Sequence, residues 1–124
     1  MGRATVLVVE DDALVRGTVR DLLELEGMRV ILARNGVEAH AMVEAYAPSA
    51  IVLDLQMPVA GGRQLVERLR RENRLDVPVI LFSGTADLEA EARRLGATRW
   101  VRKPCPPEAL IDVLREVLQA EQAW

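Results

Sequence analysis

A chain of 124 residues, half of them apolar, can bury one sizeable core; with 3% aromatics that core must be aliphatic. Sixteen basic residues against 19 acidic ones leave a net charge of −3, which argues against a basic nucleic-acid surface. A lone cysteine, Cys105, excludes an internal disulfide and suits a reducing compartment. No apolar run approaches membrane-spanning length and no signal-peptide pattern opens the chain, so the expectation is cytoplasmic residence without membrane insertion.

Thr5 to Val9 is β-branched and continuously apolar, the mark of a strand buried on both faces. Glu10, Asp11 and Asp12 follow it directly. Asp12 suits a helix N-cap, ahead of Val15, Val19, Leu22 and Leu23 at helical spacing and a stop at Gly27. Arg29 to Ala33 reads as a second strand, Asn35-Gly36 as a turn, and Ala39, Met42, Val43 and Tyr46 as a helix stripe ending before Pro48. Met28 and Met42 are expected in the core, and His40 exposed on this helix.

Ala50 to Leu53 is a third buried strand, closed by Asp54. The loop LQMPVAGG leads to a helix with Leu65, Val66 and Leu69 on one face. Arg68, Arg70, Arg71 and Arg74 are expected on its solvated side and exit. Pro78 opens a fourth strand, VILF, that ends at Ser83. Leu88, Ala92 and Leu95 mark a short helix stopped by Gly96, and Trp100 to Arg102 a short fifth strand before Lys103-Pro104. The last helix starts near Pro107 with Leu110, Val113, Leu114, Val117 and Leu118; Ile111, off that stripe, reads as edge packing ahead of a partner surface.

Five continuous apolar strands alternating with amphipathic helices predict an α/β fold, a doubly wound parallel sheet covered on both faces. Closure into a barrel would need about eight such units. In open sheets of this kind ligands bind beyond the carboxyl ends of the strands. Those ends carry Glu10 and Asp11, Asp54, Ser83 and Lys103. Carboxylates repel and are costly to bury unpaired, so their clustering implies a cation. Three carboxylates suit a hard divalent metal, while a hydroxyl and an ammonium suit phosphate oxygens.

The motifs VLVVEDD, IVLDLQMP with GG shortly after, ILFSGTA and WVRKP, in this order from Val6 to about Leu118, resemble the receiver domain of two-component response regulators. The resemblance implies a flavodoxin-like (βα)5 sheet of strand order 2-1-3-4-5 and one domain over 1–124, with its core at about 5–119. It implies that Asp54 accepts a phosphoryl group from the phosphohistidine of a sensor histidine kinase or phosphotransfer protein, with Mg²⁺ as cofactor. Asp11 matches the direct metal ligand, Glu10 the acid acting through water, and Gln56 a backbone carbonyl ligand. Ser83 matches the switch hydroxyl, Lys103 the family lysine, and Trp100 the switch aromatic. The bond before Pro104 is expected cis.

The signal would pass to a downstream protein partner or output domain through the fourth helix, fifth strand and fifth helix, around Trp100 and Arg102. The chain would be a self-modifying switch rather than an enzyme acting on free substrates, either stand-alone or part of a longer regulator or hybrid kinase.

Gly61 departs from the family pattern, which has an acidic residue there; glycine is itself a tolerable cap. Trp100 is larger than the usual switch aromatic, and as a structural residue it would simply pack. Cys105 reads as a partly buried small hydrophobe. Two other functions compete. A Mg²⁺-dependent small-molecule phosphatase of the haloacid-dehalogenase type would use Glu10 and Asp12, two apart, although its leading acid is ordinarily aspartate. A constitutive interaction module would keep the fold without phosphorylation.

Overall fold

The computed structural model describes residues 3–57, 61–74 and 76–122. The middle of the LQMPVAGG loop and Trp124 therefore lie outside the described residues. In chain order the elements are β1 (Thr5–Val9), α1 (Ala13–Leu25), β2 (Arg29–Ala33), α2 (Gly36–Tyr46) and β3 (Ala50–Leu53). They continue with α3 (Gly62–Arg71), β4 (Val79–Ser83), α4 (Leu88–Leu95), β5 (Arg99–Arg102) and α5 (Pro107–Gln122). All pairings are parallel and the strand order is β2-β1-β3-β4-β5, as expected.

Alternation along the strands divides the core in two. Leu7, Val9, Ile51, Leu53, Val79 and Leu81 meet α2, α3 and α4 through Val43, Leu65, Leu69, Leu88 and Leu95. Val6, Val8, Val52, Ile80 and Val101 face the opposite way, onto Val19 and Leu23 of α1 and Leu110, Leu114 and Val117 of α5. Ile111 is buried with this second set, so it packs rather than facing out. Both faces being covered is why the central strands read as unbroken apolar runs.

The helix starts follow from local chemistry. Asp12 Oδ1 accepts from the Leu14 and Val15 amides at 2.9 and 3.1 Å and caps α1. Asn35 caps α2 through Glu38 N at 2.9 Å, so the Asn35-Gly36 pair is a helix start more than a free turn. Gly61 caps α3 with extended backbone and no side-chain bond. Gly27 and Gly96 take left-handed φ of 86° and 73° just beyond α1 and α4.

Two expectations need correction. Tyr46 is 59% exposed. It is the last residue of α2 and lies where the sheet surface runs out, lining an open groove with Thr5 and Arg29 at the starts of β1 and β2. His40 is not exposed: its side chain retains 13% of its surface, because α2 turns it toward the exit of α3, where Nε2 meets Glu72 Oε1 at 2.7 Å. That imidazole holds the Glu72 carboxyl below the ordinary range. Arg68, Arg70 and Arg71 are exposed on α3, as expected, and Arg68, Arg70 and Arg74 at its exit also make specific bonds. Arg68 pairs with Glu72 and Arg74 with Glu44 of α2, while Arg70 donates to the Leu95 carbonyl at the end of α4. Arg63 and Arg94 clasp the buried Glu91 at 2.8 and 3.1 Å, and Arg63 lowers its carboxyl pKa. These bonds tie α2, α3 and α4 into one layer.

Gly62 is required by space. A Cβ there would lie 2.6 Å from the Asp54 carbonyl oxygen and 3.1 Å from Leu55 Cδ2. Gly62→Ala is therefore expected to destabilise the fold by about 1–3 kcal/mol in urea unfolding, despite alanine's better helix propensity. A neutral or stabilising result would show that α3 can retreat from β3 freely.

Candidate functional site

β1 and β3 are neighbours, and successive connections leave β1 toward β2 on one side and reach β3 on the other. The switch point in strand order thus falls between them, and their carboxyl ends deliver Glu10 and Asp54 side by side. Both are buried, with 4% and 6% of their surface exposed, whereas Asp11 is exposed. Glu10, Asp11 and Asp54 each place a carboxylate oxygen within 4.8 Å of the others.

Lys103, just past β5, reaches across β4 and β3 to this cluster. Its Nζ donates to Glu10 Oε1 at 2.5 Å and lies 3.5 Å from Asp54 Oδ2. The ammonium also sits 4.9 Å from the Phe82 ring centroid, a cation–π contact that sequence reasoning missed. The Lys103–Pro104 peptide is cis, as expected. Backbone amides hold the carboxylates from the other side: Gln56 N donates to Asp54 Oδ1 at 3.0 Å and Asp12 N to Glu10 Oε2 at 3.3 Å. Arg16, also unforeseen, ties the Glu10 and Asp11 carbonyls at 2.9 and 3.2 Å.

Three carboxylates face one ammonium. Burial raises the Glu10 carboxyl above the ordinary range, the nearby Lys103 pulls it back down, and the Asp54 charge adds to the rise. The pocket thus has negative charge in excess and hard oxygen donors only, a donor set that fits Mg²⁺. Glu10, Asp11 and Asp54 would hold the ion; Gln56, exposed at the rim, has its amide turned to Asp54.

Ser83 ends β4 and is fully buried. Its hydroxyl lies 2.9 Å from Thr85 Oγ1 and accepts from Thr85 N at 3.3 Å. Trp100 stands apart from the carboxylates: it is 38% exposed on β5, where Val101 supplies the buried side chain. The structure therefore gathers Glu10, Asp11, Asp54 and Lys103, places Ser83 on the adjacent strand end, and leaves Trp100 at the surface. Cys105 is partly buried, and burial raises its thiol pKa.

The sequence profile of the response regulator receiver domain matches residues 6–115. The chain belongs to that family. Among its relatives, the phosphate regulon transcriptional regulatory protein PhoB of Pseudomonas aeruginosa is 32% identical over 93% of this chain and 52% of its own length. A protein-glutamate methylesterase/protein-glutamine glutaminase of Halalkalibacterium halodurans is 36% identical over 94% of the chain and 35% of its own length. The chain thus spans about half, or less, of the curated relatives it matches. Among solved structures, the chemotaxis protein CheY4 of Vibrio cholerae superposes with a TM-score of 0.85 at 30% identity, covering 94% of this chain and 99% of that one. A CheY-like receiver domain protein of Methanospirillum hungatei gives 0.89 at 26% identity, with 98% of both chains covered. Among the described residues no helix is long and apolar enough to cross a membrane. Receiver domains of response regulators belong to two-component signal transduction, and the flavodoxin-like sheet observed here is theirs.

Proposed function

We propose that this receiver accepts a phosphoryl group on Asp54 and works as a signalling switch. The observation that carries the proposal is the reach of Lys103 onto both Glu10 and Asp54 at the crevice between β1 and β3. Asp54 is the nucleophile: the P–N bond of a donor phosphohistidine breaks as a bond from phosphorus to an Asp54 carboxylate oxygen forms, leaving imidazole and an acyl phosphate. Such a transfer needs in-line positioning and charge stabilisation more than acid–base chemistry. The Gln56 amide fixes one Asp54 oxygen and leaves the other toward Lys103. Lys103 then follows the charge as it moves onto the phosphoryl oxygens. Mg²⁺, when bound by Glu10, Asp11 and Asp54 with the Gln56 carbonyl, supplies further neutralisation of those oxygens.

The product adds nearly two negative charges at a buried position. Ser83, one strand away and buried, is the hydroxyl that would answer them, and Trp100, 38% exposed on β5, the aromatic that would move. The resulting change would be read by a downstream partner or output domain on the α4, β5 and α5 face. A histidine kinase or phosphotransfer protein is the donor. In the phosphatase alternative the second acid would be Asp12, whose Oδ1 already serves as the cap of α1.

Incubation with acetyl phosphate and Mg²⁺, read by intact mass, is expected to add one phosphoryl group. Beryllofluoride with Mg²⁺ is expected to bind saturably. An unchanged mass together with no beryllofluoride binding would leave only the constitutive interaction module.

A further inference from the structure

The Ser83 hydroxyl is spoken for in this structure. One residue, Thr85, supplies both of its hydrogen-bond partners, the side-chain hydroxyl at 2.9 Å and the amide at 3.3 Å. A serine hydroxyl has one proton to give and two lone pairs to offer. Two of these three capacities are therefore engaged within a two-residue loop. The Ser83 backbone is pinned as well, since its carbonyl accepts from Lys103 N at 3.0 Å and its strand is in register with β5 at Arg102. The hydroxyl can reach a new partner by side-chain rotation alone.

Thr85 is held in turn. Arg102 Nη1 donates to the Thr85 carbonyl at 2.9 Å, fixing the loop between β4 and α4 to the end of β5. Arg102 directly precedes Lys103, so the residue that anchors the loop adjoins the residue that touches Asp54. The loop, the switch hydroxyl and the ammonium form one connected set.

We infer that Thr85, its backbone carbonyl anchored by Arg102, is a positioning residue whose hydroxyl latches Ser83 in the resting orientation and sets the threshold for switching. The inference rests on the phosphoacceptor reading of Asp54. Ser83 is fully buried, so its hydroxyl cannot leave Thr85 for water and must find another partner at once. A phosphoryl oxygen on Asp54 is such a partner, and a charged acceptor makes roughly twice as strong a bond as a neutral one. The phosphorylated state wins, by a margin reduced by whatever the latch is worth.

Thr85→Val keeps the shape and removes the hydroxyl. It is expected to tighten Mg²⁺-dependent beryllofluoride binding by about two- to tenfold, the range of one neutral hydrogen bond. Thr85→Ser, which restores a hydroxyl, is expected to return the affinity toward wild type. In a Ser83→Ala background Thr85→Val is expected to change nothing. An unchanged or weaker affinity in Thr85→Val, or a gain that persists without the Ser83 hydroxyl, overturns the latch. A second measurement needs no phosphoryl mimic: Ser83→Ala is expected to speed hydrogen exchange at the Thr85 amide in metal-free protein, and an unaltered rate also overturns it. Should wild type fail to bind beryllofluoride, the phosphoacceptor reading falls, and the Thr85 amide still decides the latch.

Discussion

Asp54→Asn is expected to abolish phosphoryl uptake completely while the protein stays folded. The amide retains an oxygen to accept the Gln56 N–H that now binds Asp54 Oδ1 at 3.0 Å, so the end of β3 keeps its local support. What disappears is the nucleophile, because an amide oxygen does not form an acyl phosphate under these conditions. The substitution also removes one of three crowded negative charges and with it one of the influences that raise the Glu10 carboxyl. Stability without metal is therefore expected to be near that of wild type, and stabilisation by added Mg²⁺ to be smaller. Intact mass after acetyl phosphate reads the first effect and thermal unfolding with and without Mg²⁺ the second. Continued incorporation in Asp54→Asn would place the acceptor elsewhere on the chain.

Lys103→Met is expected to slow uptake by about 10²-fold without preventing it, the usual cost of losing one fixed donor to developing charge. The nucleophile and the carboxylates that would hold the ion remain. Methionine matches the aliphatic stem, so the space beside Phe82 stays filled while the cation–π contact goes. The fold suffers too. Glu10 keeps 5% of its side-chain surface and loses its side-chain counter-charge, the only one among the described residues, where removing one partner of a fully buried pair costs about 3–5 kcal/mol. Lys103 is itself a quarter exposed, which screens the pair, so about 2 kcal/mol at neutral pH is expected without Mg²⁺. The pH dependence has a definite sign. Burial already raises the Glu10 carboxyl, and without Lys103 it rises further. A group whose folded pKa is raised favours the folded state below that pKa, so the deficit shrinks as pH falls and Glu10 becomes neutral. Urea unfolding across acidic and neutral pH tests this; a deficit that grows on acidification would contradict it.

The two substitutions separate what each residue is assigned. On the proposed reading Asp54 would be chemically irreplaceable and structurally dispensable, whereas Lys103 would contribute charge to both the reaction and the resting fold. The methylesterase relative carries an additional activity in its name, and the chain covers about a third of that protein. The receiver chemistry proposed here concerns the shared segment alone.

The central strands were legible because each is short, rich in β-branched residues and apolar almost without interruption, the pattern favoured by a sheet covered on both faces. The helix starts at Asp12 and Asn35 were legible for a similar reason: a capping side chain acts on amides two or three residues away. Glu10, Asp54 and Ser83 stood out because each is the first polar group after, or the last residue of, an apolar run, and Lys103 because it precedes Pro104 at the exit of the fifth strand. Such signals are local in the chain. Tyr46 and His40 were misjudged because helical spacing assigns a face but not what lies opposite it. Tyr46 passes the edge of the sheet, and His40 meets the exit of a helix 32 residues further on.

Order along the chain, apolar period and capping chemistry were thus enough to set five βα units and to bring the acidic residues to one end of the sheet. Three matters waited for the folded chain: how far Lys103 reaches, why α3 must begin with a glycine pressed against the Asp54 carbonyl, and what holds the Ser83 hydroxyl. The reason is geometric. Periodicity constrains neighbours within a turn or a strand, whereas a 2.5 Å contact between residues 93 positions apart depends on strand order, register and side-chain rotation together, and those exist only once the sheet has closed its ranks.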